Sequence, residues 1–144
     1  MDKELKREII LENYQHPMNR GLVDDDSYIK RNTNNESCID TIDMQIKLED
    51  GIVKDIVFDG EACAICTSAT SIIIRRLIGK SIEEVKNVMY NYKNMINGEE
   101  YDEKLLGELI VYEDIKNQPN RRNCALLPSN AVNKIMEVVG SEKK

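Results

Sequence analysis

Tryptophan is absent from this 144-residue chain, and phenylalanine occurs once, at Phe58. A core must therefore be built from Ile, Leu, Val, Met and Tyr. The length suffices for one continuous core, so a single domain over 1–144 is expected. Long apolar runs are missing too: the longest, Ala62–Cys66, falls far short of a membrane span. The opening Met-Asp-Lys-Glu-Leu-Lys-Arg-Glu has no apolar signal region and no small-residue cleavage site. A cytoplasmic protein with no membrane partner is expected. Basic residues are outnumbered, 20 Lys and Arg against 26 Asp and Glu, giving a formal charge of −6. Nucleic-acid binding needs the opposite balance on one face, and Arg75–Arg76 and Arg121–Arg122 are too small to supply it. Glycine loops of the G-x-x-x-x-G-K or G-x-G-x-x-G kind do not occur, which argues against nucleotide-driven chemistry. Histidine occurs once, at His16 before Pro17. That excludes most two-His metal sites, and the residue reads as a solvated or locally bonded turn histidine.

What is present divides the chain by period. Asp2 is placed to cap a helix running to about Tyr14, whose apolar side begins with Leu5 and Ile9. Pro17 and Gly21 turn the chain, and Asp24 to Glu36 is polar and extended, anchored by Tyr28 and Ile29. Ile42, Met44 and Ile46 alternate with polar residues over Thr41–Lys47, the period of a half-buried strand. Asp50–Gly51 predicts a tight hairpin, with Ile52–Phe58 as the return strand. Beyond Gly60 the period becomes helical. Thr67 or Ser68 is expected to cap a helix to about Ile78, and Ser81 with Glu84 forms a capping-box pattern for the next. Asn97–Gly98 breaks that helix, and another is predicted from Glu103 to about Ile115, ended by Pro119. A last helix is expected soon after Cys124, with Pro128 in its first turn and Gly140 at its stop. Strands first and helices after predict an α+β fold: a small three-stranded antiparallel sheet covered by helices on one face.

Four cysteines, Cys38, Cys63, Cys66 and Cys124, fall at the boundaries of these elements. In a reducing compartment, metal ligation or nucleophilic chemistry is expected of them before disulfides. Thiolate binds metal and attacks sulfur, and the N–H groups at a helix start favour negative charge there. Buried structural cysteines are the alternative for any one of them. Cys63 and Cys66 form a Cys-x-x-Cys, but a hairpin ahead of them does not suit a thioredoxin-like βαβ site. Asp40, two residues after Cys38, would be an ordinary turn acid alone. Beside thiolates, its carboxylate can complete an exchangeable zinc set.

The segments Asn35-Glu36-Ser37-Cys38-Ile39-Asp40, Gly60-Glu61-Ala62-Cys63-Ala64-Ile65 and Pro119-Asn120-Arg121-Arg122-Asn123-Cys124-Ala125-Leu126 resemble the three cysteine motifs of the IscU/NifU-type iron–sulfur scaffold family. Tyr14, Pro17, Asn19 and Gly21 match its N-terminal turn, and Val57-Phe58-Asp59-Gly60 fits its strand pair. The long segment Lys80–Gln118 between the second and third motifs, and Arg121 ahead of the last cysteine, are similar to the SufU branch. The IscU branch places a histidine where this chain has Asn123. This resemblance implies a SufU/IscU-like fold. It also implies that Cys38, Asp40, Cys63 and Cys124 hold Zn2+, or an iron–sulfur cluster if the protein is a scaffold. It further implies that a histidine of a SufS-like cysteine desulfurase partner takes the zinc, that the released Cys38 accepts persulfide sulfur, and that iron–sulfur acceptor proteins lie downstream. Arg121 would steady thiolate or persulfide charge, or else be a solvated arginine. Family glycines are replaced by Ile39 and Ala62, the family proline before the first cysteine by Glu36, the SufU-like lysine by Asn123, and a family serine by Cys66. Cys66 is thereby a spare ligand, a second sulfur acceptor or a packed thiol.

Three functional readings follow: a zinc-dependent sulfurtransferase acting as relay, a non-enzymatic cluster scaffold, or a structural zinc domain that only binds partners. A monomer is expected under each.

Overall fold

The computed structural model describes residues 1–32 and 41–142, with side chains to 139. Cys38 and Asp40 lie outside the described residues. Helix α1 is Lys3–Gln15, followed by strands β1 (Tyr28–Asn32), β2 (Thr41–Glu49) and β3 (Ile52–Glu61). Then come helices α2 (Ala64–Leu77) and α3 (Ile82–Ile96), two 3-10 segments (Glu103–Leu105 and Gly107–Asn117), and helix α4 (Pro119–Glu142). The sheet order is β1-β2-β3, antiparallel throughout, as the alternation predicted. Among the described residues no helix is long and apolar enough to cross a membrane.

The Asp50–Gly51 turn takes φ 55 and φ 76 at its two residues, the left-handed pair a two-residue hairpin requires. Both strands run longer than their apolar alternation indicated, to Glu49 and Glu61, with an irregularity between Lys47 and Leu48. One sheet face presents Ile42, Met44 and Ile46 with Ile56 and Phe58 to the core, and all are essentially buried. Helix α2 packs against β3, and α4 packs against β1 and β2. Gln45 is buried as well, because its side-chain amide forms two bonds with Val23: its Oε1 accepts the Val23 N–H and its Nε2 donates to the Val23 carbonyl, each at 2.9 Å. The Asn19–Gly21 turn is held on β3 by Gly21 N–H to the Phe58 carbonyl at 2.7 Å and Phe58 N–H to the Asn19 carbonyl at 3.2 Å.

Four helical expectations need correction. The first concerns α1, where Asp2 does cap, accepting the Leu5 N–H at 3.0 Å, but Leu5 is 45 % exposed. The buried side is instead centred on Lys6 and Asn13, which are kept in by partners. Lys6 donates to Glu113 and Asp114 at 2.9 Å each, and Asn13 donates to the Ile9 carbonyl while accepting from Ser71 and Arg75. The second is the start of α2, which lies at Ala64, ahead of Thr67 and Ser68, with Cys63 as N-cap.

The third is the Glu103–Ile115 helix, which is 3-10 rather than α. Leu106, Leu109, Tyr112 and Ile115 are buried and recur every third residue, the period of a 3-10 helix. Arg76 fastens the break before Gly107 by donating to the Leu105 and Lys104 carbonyls. The fourth is α4, which starts at Pro119, where the absent N–H costs nothing, and continues past Gly140 to Glu142. Cys124 and Pro128 therefore both lie inside the helix. The Ser81–Glu84 capping box forms as expected, with both bonds at 3.2 Å.

Gly60 fixes the far end of the hairpin. Its φ is +139, and a Cβ there would lie 2.2 Å from the Thr41 carbonyl oxygen and 3.0 Å from the Ile42 Cα. Both obstacles are backbone, which cannot swing aside. Gly60→Ala should therefore lower unfolding free energy by roughly 2–4 kcal/mol from strain plus overlap. Urea denaturation checks this, as a lower midpoint at unchanged slope. A wild-type midpoint would show that β2 and β3 are not held this closely.

Candidate thiol and metal centre

The candidate cysteines Cys63 and Cys124 lie where β3 gives way to α2 and one turn before Pro128 in α4. The register Thr41↔Glu61 closes the β2–β3 ladder, so the chain leaves β3 for Cys63 beside the point where it enters β2. Cys63 then caps α2 with φ −66 and ψ 170, and its Sγ accepts the Cys66 N–H at 3.5 Å. The Cys63 carbonyl takes the Thr67 N–H at 2.9 Å, and the Thr67 hydroxyl donates to the Ala62 carbonyl at 3.3 Å. This wrapped turn leaves Cys63 exposed. Ala62, where the family has glycine, is not among the residues with positive φ and is accommodated without strain.

Cys66 faces the other way. It is fully buried within the hydrophobic core. Cys124 is half-buried against that core, past the first turn of α4. Its setting is shaped by Pro128, which has no N–H to give the Cys124 carbonyl and whose ring crowds it. The next two carbonyls are taken by hydroxyls: Tyr92 donates to Ala125 and Ser129 donates to Leu126, both at 2.8 Å.

Two buried tyrosines lie between the cysteine-bearing helices, and sequence reasoning gave them no role at the site. Tyr92 from α3 and Tyr112 from the second 3-10 segment meet edge to face, with ring centroids 6.5 Å apart and planes at 81°. Such contacts add about 0.5–1.5 kcal/mol beyond area burial. The Tyr112 hydroxyl shares a 2.5 Å hydrogen bond with the Ser68 hydroxyl, on α2. Burial pushes both phenols upward, Tyr92 well above its ordinary value. The Cys66 thiol adds to the effect on both and Cys63 to that on Tyr112. Two tyrosines in an otherwise aromatic-poor apolar pattern were the available signal.

Arg121 is exposed at the start of α4. It lines a cleft of about 800 Å³ together with Ile65, Tyr112 and Ile115, next to the turn that Cys63 caps. His16 is an exposed C-cap residue whose N–H bonds the Glu12 carbonyl at 2.9 Å, a locally bonded turn histidine as expected. Among the described residues, no three His, Cys, Asp or Glu side chains gather at one point. The thiols of Cys63 and Cys124 suit zinc or an iron–sulfur cluster by donor chemistry, and Cys38 and Asp40 would have to complete the set.

The fold is that of a small α+β protein with one cysteine capping a helix and another in a helix that carries an internal proline. The NifU-like N terminal domain family matches residues 5–125. The chain is 36 % identical over 125 residues to the iron-sulfur cluster assembly scaffold protein IscU of Thermotoga maritima, covering 87 % of each. It is 32 % identical over 131 residues to the zinc-dependent sulfurtransferase SufU of Bacillus subtilis, covering 90 % of this chain and 88 % of that one. A crystal structure from Fervidobacterium islandicum, described as a cluster assembly scaffold for the SUF system, superposes with a TM-score of 0.83 at 31 % identity, covering 88 % of this chain and 92 % of that one. The chain belongs to the NifU-like N-terminal domain family, that of IscU and SufU.

The raised phenols set a pH dependence. The folded state keeps protons on Tyr92 and Tyr112 that the unfolded state releases above about pH 10, so stability is full below that pH and falls as pH rises. Tyrosinate absorbance from these two residues should appear only together with loss of far-ultraviolet ellipticity. Complete ionisation of all tyrosines in a still-folded protein would show that the pair is not sealed.

Proposed function

We propose that this protein serves iron–sulfur cluster assembly as a zinc-bound acceptor of persulfide sulfur from a cysteine desulfurase. The observation that carries this reading is the β2–β3 register. Thr41 and Glu61 are paired, Cys63 follows Glu61 into the cap of α2, and Asp40 and Cys38 directly precede Thr41. That pairing sets the start of β2, which the Cys38–Asp40 motif immediately precedes in sequence, beside the strand end that leads into Cys63. Similarity to SufU, a zinc-dependent sulfurtransferase, supports zinc as the ion. So does the donor set of Cys38, Asp40, Cys63 and Cys124, in which a hard carboxylate oxygen takes the place of a fourth thiolate and keeps one position exchangeable.

Zinc bound there supplies a centre that keeps its thiol ligands deprotonated. Cys38 is the acceptor. Its thiolate attacks the terminal sulfur of the desulfurase persulfide, one S–S bond forms as the other breaks, and the desulfurase cysteine leaves as thiolate. No net oxidant is consumed. Arg121, exposed beside the same turn, offers a guanidinium to the charge that Cys38 carries before and after transfer. Cys66, sealed in the core, suits the packed-thiol role rather than that of ligand or acceptor. The acceptors downstream are iron–sulfur proteins. A scaffold that builds and passes on a cluster is the second reading, favoured by 36 % identity to an IscU over 87 % of the chain.

Metal analysis of aerobically and anaerobically purified protein separates the two. Stoichiometric colourless zinc is expected for the relay, and a brown chromophore in the anaerobic sample would replace it with the scaffold. Stimulation of a cysteine desulfurase should be lost in Cys38→Ser and Cys124→Ser, with at least a hundredfold fall expected of a missing nucleophile or ligand, on the order of 10²–10⁴. Cys66→Ser should retain it. If Cys38→Ser instead unfolds the protein, the centre is a structural zinc site and the relay is wrong.

A further inference from the structure

Cys63 and Cys124 are carried by different helices, and neither turn is rigid by itself. Cys63 sits at a helix cap, where the intrahelical ladder has only begun. Cys124 sits where Pro128 interrupts that ladder. Beyond the local hydroxyl bonds from Thr67 and Ser129, each turn is reached by the buried hydroxyl of a tyrosine from another element. Ser68, a turn beyond Cys63 on α2, is bonded to Tyr112 at 2.5 Å, and Ala125, the neighbour of Cys124, takes the Tyr92 hydroxyl at 2.8 Å. Tyr92 and Tyr112 then touch each other at 81° with centroids 6.5 Å apart. The result is a continuous buried path, Ser68–Tyr112–Tyr92–Ala125, between one cysteine turn and the other. All four members are essentially inaccessible to solvent.

We propose that Tyr92 and Tyr112 are positioning residues whose contact and hydroxyl bonds fix the spacing between the Cys63 turn and the Cys124 turn. The inference rests on the reading that these two thiols share one ion, and it deepens that reading by naming what sets their separation. Neither tyrosine touches the ion. Each acts through a backbone or hydroxyl group of a cysteine-bearing helix, as outer partners of metal ligands do. A path of rings suits the purpose, because an aromatic side chain has few internal rotations and transmits position with little slack. Both rings come from the segment Lys80–Gln118, which separates the Cys63 and Cys124 motifs in sequence and here joins them in space.

Tyr92→Phe and Tyr112→Phe keep both rings and remove one hydroxyl each. Full-length protein, stripped of metal, is titrated anaerobically with Co2+ and read by its thiolate charge-transfer and d–d bands. Zinc affinity is then measured by competition with a chromophoric chelator. Wild-type charge-transfer bands that are lost in Cys63→Ser and Cys124→Ser establish the shared ion. Their absence in wild type defeats that reading and this inference with it. Given those bands, each Phe variant should bind zinc about tenfold more weakly, with altered d–d bands. The metal-free melting temperature should meanwhile move only a few degrees. Wild-type d–d bands with zinc affinity within about twofold of wild type in both variants would overturn the proposal. So would metal-free stability that falls with no change in the cobalt spectrum, since that marks ordinary packing. Should Tyr92→Phe fail to fold, Ser68→Ala removes the Tyr112 partner from the α2 side and carries the same expectation.

Discussion

The pairing of β2 with β3 governs the rest of the molecule. It carries the inward faces on which α2 and α4 pack, and it ends at the turn that leads into Cys63. Because the strands are antiparallel, the entry of one and the exit of the other lie side by side at Thr41 and Glu61. A one-residue slip would turn Ile42, Met44 and Ile46 to the wrong face. It would also move the Cys63 cap relative to the Thr41 end. One register therefore sets both core burial and the placing of the Cys63 cap against the start of β2. Gly60 allows the strands to come this close, since any side chain there would strike the Thr41 backbone.

Much of this was legible because it depends on short-range chemistry. The strand alternation, the Asp50–Gly51 turn, the Ser81–Glu84 box and the Asp2 cap each follow from a few adjacent residues, and each is observed. The cap of α2 was misplaced because oxygen-bearing Thr67 and Ser68 outrank a cysteine as N-caps. At Cys63 a sulfur takes the N–H instead, at the longer 3.5 Å that sulfur allows. The Glu103–Ile115 segment was expected as an α-helix because buried residues at every third position fit a 3-10 coil and, over a short stretch, an α-helix nearly as well. Pro119 was read as a terminator when it was equally a first-turn residue.

Candidate residues could be named from motifs, but what surrounds them could not. Motif resemblance picked out Cys38, Asp40, Cys63, Cys124 and Arg121; the first two lie outside the described residues, and of the other three Cys63 caps the turn after β3 and Arg121 lines the adjoining cleft. Nothing in local sequence could say that Lys6 would be held in by Glu113 and Asp114, more than a hundred positions away, or that Gln45 would bond the backbone of Val23. The same holds for Tyr92 and Tyr112. Neither belongs to a motif or a capping pattern in the sequence. Their hydroxyls matter only because the fold offers one a serine and the other a helix carbonyl.

Cys63 and Cys66 show how far three positions along a helix can separate two like groups. Cys63 caps the first turn of α2 and Cys66 lies within it, donating its backbone N–H to the Cys63 sulfur. Yet one thiol is exposed and its neighbour is wholly enclosed. The division arises because Cys63 is still outside the helix, in extended backbone, whereas Cys66 points down onto the core between α2 and the tyrosine pair. A Cys-x-x-Cys spacing is thus split by the helix boundary into one reachable thiol and one packing residue. Had α2 begun at Thr67, as oxygen caps would favour, both thiols would have lain in the connecting loop and the pair would have been a dithiol. The sulfur cap is what separates their roles, so the first turn of α2 is as much a part of the centre as the cysteines themselves.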